Sequence, residues 1–248
     1  MFPIRDHNPS ERVPFVTITL IVANILIFLA YVGHLGNERA LFAIFWDWGV
    51  VPLKITNGVG YEGLVTSMFL HAGFLHLAGN MLFLSIFGDN LEDHLGHLGF
   101  LIFYLASGLG AAALQIVAAP DSQVPMVGAS GAIAGVMGGY LLMFPRARVD
   151  ILLIIVFIFK VFPVPAWLML GLWFAIQLFS SVSNPADGGG VAYWAHAGGF
   201  AVGFAAMLPF WMRAGGPRFW SATDGHPDHP EARYKLVESS VPRVRRRK

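Results

Sequence analysis

Long runs of hydrophobic residues, separated by short polar stretches, dominate the pattern of this chain. A transmembrane helix needs about 20 mostly apolar residues, and six segments meet or nearly meet that requirement. They lie at roughly 13–34, 69–88, 98–118, 128–144, 164–181 and 191–212. The pattern therefore predicts an all-α membrane protein, a six-transmembrane-helix bundle whose first connection lies at the outer interface.

A seventh apolar stretch, VDILLIIVFIFKVFPVP at 149–165, is predicted to be an interfacial or re-entrant connection. Its uninterrupted apolar part is rich in β-branched residues and covers only about 9 residues, well short of a span. Lys160 interrupts the run, and prolines stand at 145, 163 and 165. These features disfavour a seventh transmembrane helix.

The basic residues indicate how the bundle is oriented. With six spans and a cytosolic N-terminus, the outer side holds only Arg39 and Lys54, and the inner side holds the other basic residues, RVRRRK at the C-terminus included. Basic residues concentrate on the cytosolic side of membrane proteins. We therefore expect both termini in the cytosol, with a retained first span, a short N-terminus (1–12), a membrane domain (13–212) and a flexible basic tail (213–248).

The composition is that of a membrane protein, and it excludes some kinds of covalent bond and metal site. The chain is 56% hydrophobic and only 12% charged, whereas soluble domains carry roughly a quarter charged residues. It has no cysteine, which excludes disulfides and thiolate metal ligands. No metal site or nucleotide-binding loop is visible, so we expect no cofactor, no metal and no nucleic-acid partner.

Polar residues within the predicted spans are the candidate functional groups, because they are costly at membrane depth. His76 and Asn80 lie four residues apart near the start of the second span, and therefore share a helix face. Ser130 opens the fourth span within Gly128-Ala129-Ser130-Gly131, and His196 lies near the start of the sixth. These three spans run from the outside inward, so the four side chains are predicted at one depth.

Small residues predict which helices meet. Gly131 begins a stripe of glycines at four-residue spacing in the fourth span, and Gly199 and Gly203 form a GxxxG in the sixth. Small-xxx-small faces let transmembrane helices approach closely. The approach of these two helices would bring the Ser130 hydroxyl within hydrogen-bond reach of the His196 imidazole.

This arrangement has the chemistry of a nucleophile beside its base. The imidazole would take the hydroxyl proton during attack on a carbonyl. The resulting oxyanion could be bound by the Ser130 amide at the helix start and by the side chains of His76 and Asn80. Simpler interpretations exist for each residue alone: a helix cap for Ser130, and packing or proton relay for His196. Their common depth favours catalysis.

Over roughly residues 14–212, the chain resembles the rhomboid family of intramembrane serine proteases. The matching motifs are H-x-x-x-N at His76 to Asn80, G-x-S-G at Gly128 to Gly131, AHAGGFAVG at 195–203, and E-x-x-x-G at Glu92 to Gly96. The resemblance implies a Ser130–His196 dyad without an acid, with His76, Asn80 and the Ser130 amide at the oxyanion site. It also implies cleavage of membrane-anchored proteins near the outer face, in the plasma or inner membrane of a prokaryote.

Two positions depart from patterns seen in some members. The first outer connection has WDWG instead of a Trp-Arg pair, and the residue four after Ser130 is Ala134 rather than an aromatic that stacks on the histidine. Something else must then orient His196. The resemblance also implies that the connection around 181–191, rich in glycine, caps a water-filled cavity, and that substrate enters from lipid near the fifth span.

Two other functions are compatible with a membrane bundle. A transporter or channel would use His76, Asn80 and His196 as an ion path, but it would spread ionisable groups through the membrane depth. An inactive rhomboid-like adaptor would lack the serine or the histidine, and this chain keeps both. The remaining histidines are interpreted as loop or interface residues: His34, His71, His94 and His97.

Overall fold

The computed structural model describes residues 2–155, 158–184 and 191–226, and this part of the chain is mostly helical. Its helices are α1 (Phe15–Tyr31), α2 (Glu38–Trp48), α3 (Pro52–Thr56), α4 (Gly63–Thr66), α5 (Phe74–Ala118), α6 (Ser130–Met143), α7 (Ala166–Ser183), α8 (Tyr193–Arg213) and α9 (Pro217–Thr223). The strands are β1 (Phe2–Asp6), β2 (Arg148–Ile155) and β3 (Ile158–Pro165). Short 3-10 turns follow α1 and α4.

Within the described residues, four helical stretches are long and apolar enough to cross a membrane: Phe15–His34, Phe74–Ala118, Ala166–Ser183 and Tyr193–Arg213. Helix α6 is apolar but shorter, with 14 residues. Helix α5 has 45 residues and is interrupted at Gly96, whose φ of 69° is non-helical. The break separates the predicted second and third spans. A mostly helical protein with membrane-compatible helices is therefore confirmed.

The all-α prediction is wrong, because residues 149–155 and 158–165 lie in strands β2 and β3. Strands β1, β2 and β3 make an antiparallel sheet in that order, with β2 in the centre. The β-branched run in β2 suits a strand. Pro163 and Pro165 are tolerated because β3 is an edge strand, where a missing N–H breaks no ladder. The predicted separate N-terminus supplies β1, the other edge.

The sheet lies at the end of α6 opposite to Ser130. Asp150 of β2 accepts hydrogen bonds from Arg5 Nε at 2.6 Å and pairs with His7 Nε2 at 2.9 Å. Burial raises the pKa of Asp150, but the bonds from Arg5 and His7 outweigh it and hold that pKa below its usual range. The Tyr140 hydroxyl lies 2.7 Å from an oxygen of Asp6. These contacts fasten the N-terminal strand to the helical bundle.

The predicted flexible tail, 213–248, includes a helix, so its predicted start at residue 213 is too early. Helix α9 packs against the end of α6: Phe219 is buried, and Trp220 Nε1 donates to the Leu142 carbonyl at 2.9 Å. Arg146 pairs with Asp224 just beyond this helix. The buried Phe219 and the partly buried, hydrogen-bonded Trp220 explain why this segment packs on the bundle despite its polar neighbours. Residues 227–248, which include RVRRRK, lie outside the described residues.

Helices α6 and α8 meet through their glycines, as the small-residue faces predicted. A Cβ on Gly199 would overlap the carbonyl oxygen of Gly131, and one on Gly203 would overlap that of Gly135. The two backbones are therefore in direct contact. This packing sets the lateral distance between the N-terminal ends of α6 and α8, where Ser130 and His196 lie.

Glu92 connects α5 to the start of α1. Its buried carboxylate accepts from the backbone N–H groups of Val16 and Thr17, both at 2.8 Å, and from Thr17 Oγ1 at 2.7 Å. His97 Nδ1 lies 2.6 Å from Glu92 Oε1, the oxygen that also accepts from Val16. The first N–H groups of a helix have no partner within it, so Glu92 acts as a cap from another element. The E-x-x-x-G motif thus has a structural role at this site.

Candidate active site

Ser130 is the first residue of α6. Its own N–H therefore has no acceptor within the helix and points out of the N-terminal end of the helix. Gly128, two residues earlier, has a φ of +129°, which residues with a side chain rarely adopt. The Gly128 N–H donates to the Ser67 carbonyl at 2.9 Å. This bond anchors the turn that presents the Ser130 hydroxyl.

His196, the fourth residue of α8, lies directly against the serine. The distance from its Nε2 to Ser130 Oγ is 2.8 Å, a normal hydrogen bond. For Nε2 to accept the hydroxyl proton it must be the unprotonated ring nitrogen, so the ring proton must sit on Nδ1. The geometry is that of a nucleophile with its base.

The other side of the His196 ring contacts α7, and sequence reasoning missed both partners. Gln177 Oε1 lies 2.8 Å from His196 Nδ1. The Trp173 ring centroid is 5.7 Å from that of the imidazole. Gln177 is an amide within the apolar run LWFAIQLF, so the rule that flagged the other intramembrane polar residues would have flagged it too.

The Nε2 atom of His76 faces the space next to the Gly128 Cα. Its Nδ1 accepts from the Ala72 N–H at 3.3 Å, so the ring proton of the neutral side chain belongs on Nε2. A Cβ built on Gly128 would stand 2.8 Å from His76 Nε2 and 3.5 Å from Ser130 Oγ. The histidine and the serine therefore face the same small volume, which a side chain at residue 128 would fill.

His71 lies in the connection between the 3-10 turn after α4 and helix α5, so it is a loop residue as predicted, but its burial was not predicted. It is fully buried, and its ring packs edge-on against His76 with centroids 5.1 Å apart. The Tyr31 hydroxyl bonds both the N–H and the carbonyl of His71, at 2.6 and 2.8 Å. Helix α5 begins only at Phe74, so helical spacing did not apply to His71. It supports the His76 ring.

Asn80 lies one turn below His76 on the same helix, but it does not line the cavity that the described residues form. The side chain is 7% exposed, and its Nδ2 has no hydrogen-bond partner within the described part of the chain. The structure thus brings Ser130, His196 and His76 together and leaves Asn80 buried outside the cavity lining, with its Nδ2 unpaired among the described residues.

A cavity of about 660 Å³ reaches these side chains. Its wall combines α5, α6, the start of α8 and the segment before Ser130. The first outer connection supports that segment, since Val50 and Met126 exchange backbone hydrogen bonds of 3.0 and 2.8 Å. Val191 and Ala192 line the cavity, but residues 185–190 of the predicted cap lie outside the described residues. Among the described residues, no group of three His, Asp or Glu side chains could hold a metal ion.

Comparisons with known proteins agree with the site motifs. The sequence model of one family, described as the Rhomboid domain, matches residues 60–213. "RHOMBOID-like protein 6, mitochondrial" of Arabidopsis thaliana is 40% identical over 95 residues, which cover 38% of this chain and 29% of the relative. "Rhomboid-like protein 11, chloroplastic" of the same plant is 42% identical over 130 residues, or 52% of this chain and 42% of the relative.

A bacterial relative carries an activity in its name. "Putative rhomboid protease YdcA" of Bacillus subtilis (strain 168) is 42% identical over 91 residues, covering 37% of this chain and 45% of the relative. The chain thus spans less than half the length of each of these three relatives. Similarity extends to proteins of mitochondria, chloroplasts and bacteria, and so does not by itself assign a membrane.

Proposed function

Because this chain belongs to the rhomboid family, a family of membrane helical bundles, we propose that it is an intramembrane serine endopeptidase with a Ser130–His196 dyad. The observation that carries the proposal is the 2.8 Å contact between His196 Nε2 and Ser130 Oγ on the wall of a cavity. An inactive rhomboid-like adaptor would not need this contact. Proteins named proteases among the relatives support the reaction class.

In the proposed reaction Ser130 Oγ attacks the carbonyl carbon of the scissile peptide while His196 Nε2 takes the hydroxyl proton. The protonated His196 then gives that proton to the leaving amine, and water hydrolyses the acyl-enzyme by the same route. His76 Nε2–H and the Ser130 N–H are the donors proposed for the oxyanion, with Asn80 as a further donor. Gly128 leaves room for the oxyanion, because any side chain there would occupy that volume.

We propose six membrane crossings: α1, the two halves of α5 on either side of Gly96, α6, α7 and α8. The N-terminal end of α6 would then lie near the outer face. The sheet, α9 and the Arg146–Asp224 pair gather at the opposite end. Basic residues favour the cytosolic side, so both termini are assigned there. Residues 13–212 form the proposed protease domain, and a prokaryotic plasma or inner membrane remains the proposed location.

The proposed substrates are membrane-anchored proteins cut near the outer face. Much of the surface of α1 and α7 is exposed and apolar, as expected of helices in lipid, and the cavity lies at the outer end of the bundle. A peptide bond must leave the helix to reach Ser130, since its carbonyl is otherwise hydrogen-bonded. Cleavage is therefore expected in a segment that is non-helical or easily unwound.

A fluorophosphonate probe tests the nucleophile directly. The wild-type protein in proteoliposomes should be labelled, and mass spectrometry should place the adduct on Ser130. Ser130→Ala should remove the labelling. Ser107→Ala is the matched control, because Ser107 is fully buried on α5 outside the cavity wall and its hydroxyl has no partner in the described structure. Labelling that survives Ser130→Ala would contradict the proposal.

A reporter fused after Lys248 tests the six crossings. It should read cytosolic, because the basic residues of the sheet end and tail then lie inside. A reporter inserted after Asn57, in the first outer connection, is the matched control and should read external. If the C-terminal fusion reads external, the proposed topology is wrong: an external Asn57 reporter would then indicate an odd number of crossings, and a cytosolic one an inverted bundle.

A further inference from the structure

We propose that Gln177 is a positioning residue that holds His196 in its catalytic tautomer through the side-chain carbonyl. This inference rests on the proposed protease function and adds a residue to it. The observation is the 2.8 Å distance between Gln177 Oε1 and His196 Nδ1, on the ring edge opposite to Ser130. A chain of two hydrogen-bond contacts thus connects three helices: Gln177 of α7 to His196 of α8, and His196 to Ser130 of α6.

The tautomer explains why an acceptor is needed there. A neutral imidazole has one N–H and one bare nitrogen. Ser130 requires Nε2 bare, so the proton occupies Nδ1 and has to be bonded. A buried N–H without an acceptor costs about 1–3 kcal/mol, which would favour the wrong tautomer. Gln177 Oε1 accepts this N–H, because a carbonyl oxygen cannot donate.

The location of Gln177 fits this role better than substrate binding. Its side chain is 7% exposed, and it does not line the cavity that the described residues form. Trp173, one turn earlier on α7, packs against the same imidazole and against Phe200 of α8. Together Gln177 and Trp173 restrain the ring that Ala134 leaves without an aromatic neighbour on α6.

A neutral amide also suits the depth of the site. An ionised acid buried beside His196 would carry the desolvation cost of a charge in an apolar region. An amide orients the ring without adding a charge, at the expense of weaker stabilisation of the protonated imidazole. We therefore expect Gln177 to contribute less to the rate than the acid of a Ser-His-Asp triad.

Replacement of Gln177 by methionine removes the acceptor at similar length and volume. For Gln177→Met we expect kcat to fall about 10- to 100-fold, below the roughly 10⁴-fold caused by losing the acid of a triad. KM should be unchanged, because Gln177 does not line the cavity. Ser181→Ala is the matched control: Ser181 is buried one turn further along α7, and its hydroxyl bonds only its own helix, at Leu178.

Replacement by glutamate provides the readout that a packing role would not change. Among the described residues the groups facing His196 are Ser130 from α6, Gln177 and Trp173 from α7, and the titratable His76 from the α5 side. A carboxylate at residue 177 favours the protonated imidazole, which cannot accept the Ser130 proton. The fall of kcat/KM at low pH should therefore move to higher pH in Gln177→Glu, by about 1 unit or more. At pH values above this fall, Gln177→Glu should remain active.

These outcomes separate the inference from the proposed function. If Ser130→Ala and His196→Ala abolish cleavage but a folded Gln177→Met protein keeps the wild-type kcat, the positioning role is wrong and the dyad stands. If Gln177→Met does not fold, a fall of kcat/KM at low pH that stays in place in Gln177→Glu overturns the role. Cleavage by Ser130→Ala would instead overturn the protease proposal itself.

Discussion

Ser130→Ala and His196→Ala will each abolish cleavage, and the double variant will be no slower than either single one. The two side chains act as one unit, since the hydroxyl is a weak nucleophile without the imidazole and the imidazole has no proton to take without the hydroxyl. In serine proteases such losses reach about 10⁶-fold and are not additive. The measurement is kcat on a single-span protein that the wild-type enzyme is first shown to cleave in proteoliposomes.

Folding must be checked separately, because His196 lies among tightly packed helices. Both variants should keep a wild-type melting temperature within a few degrees, since the glycine contacts between α6 and α8 are unchanged. Ser107→Ala should cleave at the wild-type rate. Losses that multiply in the double variant would show that the two residues act independently, which the proposed mechanism forbids.

The second large effect concerns the oxyanion. His76→Ala should lower kcat by about 10²–10³, the usual cost of one oxyanion donor. Its Nε2–H faces the space over Gly128 beside Ser130. Fluorophosphonate labelling of Ser130 should persist in part, because the dyad is intact in this variant.

Asn80→Ala tests the second side-chain donor. Its Nδ2 is buried without a partner, and a donor left unused in the resting protein is free to bond when an anion forms. We expect a loss of kcat in the same range. Asn24→Ala is the matched control, because Asn24 is a fully buried amide on α1 whose Nδ2 bonds only its own helix, at Leu20.

The predictions for the two donors, His76 and Asn80, can be contradicted independently. A wild-type kcat for Asn80→Ala with a slow His76→Ala would reduce the oxyanion site to His76 and the Ser130 amide, as expected if Asn80 stays outside the cavity lining. Wild-type rates for both variants would leave only backbone amides of α6 as donors to the oxyanion. His71→Ala should also slow the reaction, since its ring supports His76.

Several site features followed from local sequence. The hydroxyl and the two imidazoles stood out because polar groups are rare within apolar runs, and the direction of the helices put them at one depth. Glycine spacing predicted the contact between α6 and α8. Gln177 followed the same rule but was overlooked, because its partner, the Nδ1 of His196, was not known to face α7.

Other features could not be predicted from local pattern. The stretch 149–165 is apolar whether it enters the membrane or forms strands, and its partner strand β1 lies about 145 residues earlier in the chain, at Phe2–Asp6. The burial of His71 could not be predicted, because it depends on Tyr31, 40 residues away. Helix α9 looked like part of a polar tail, because its order depends on contacts with the end of α6.

The sequence by itself determined the membrane class, the apolar segments and the serine, histidine and glycine motifs, because bilayer thickness and helix periodicity act on neighbouring residues. Only the tertiary structure decided that a three-stranded sheet lies at one end of the bundle, that Gln177 and Trp173 contact the His196 ring, and that Asn80 does not line the cavity. These features depend on hydrogen bonds and packing between segments far apart in the chain, and hydropathy carries no information about which remote segments pair.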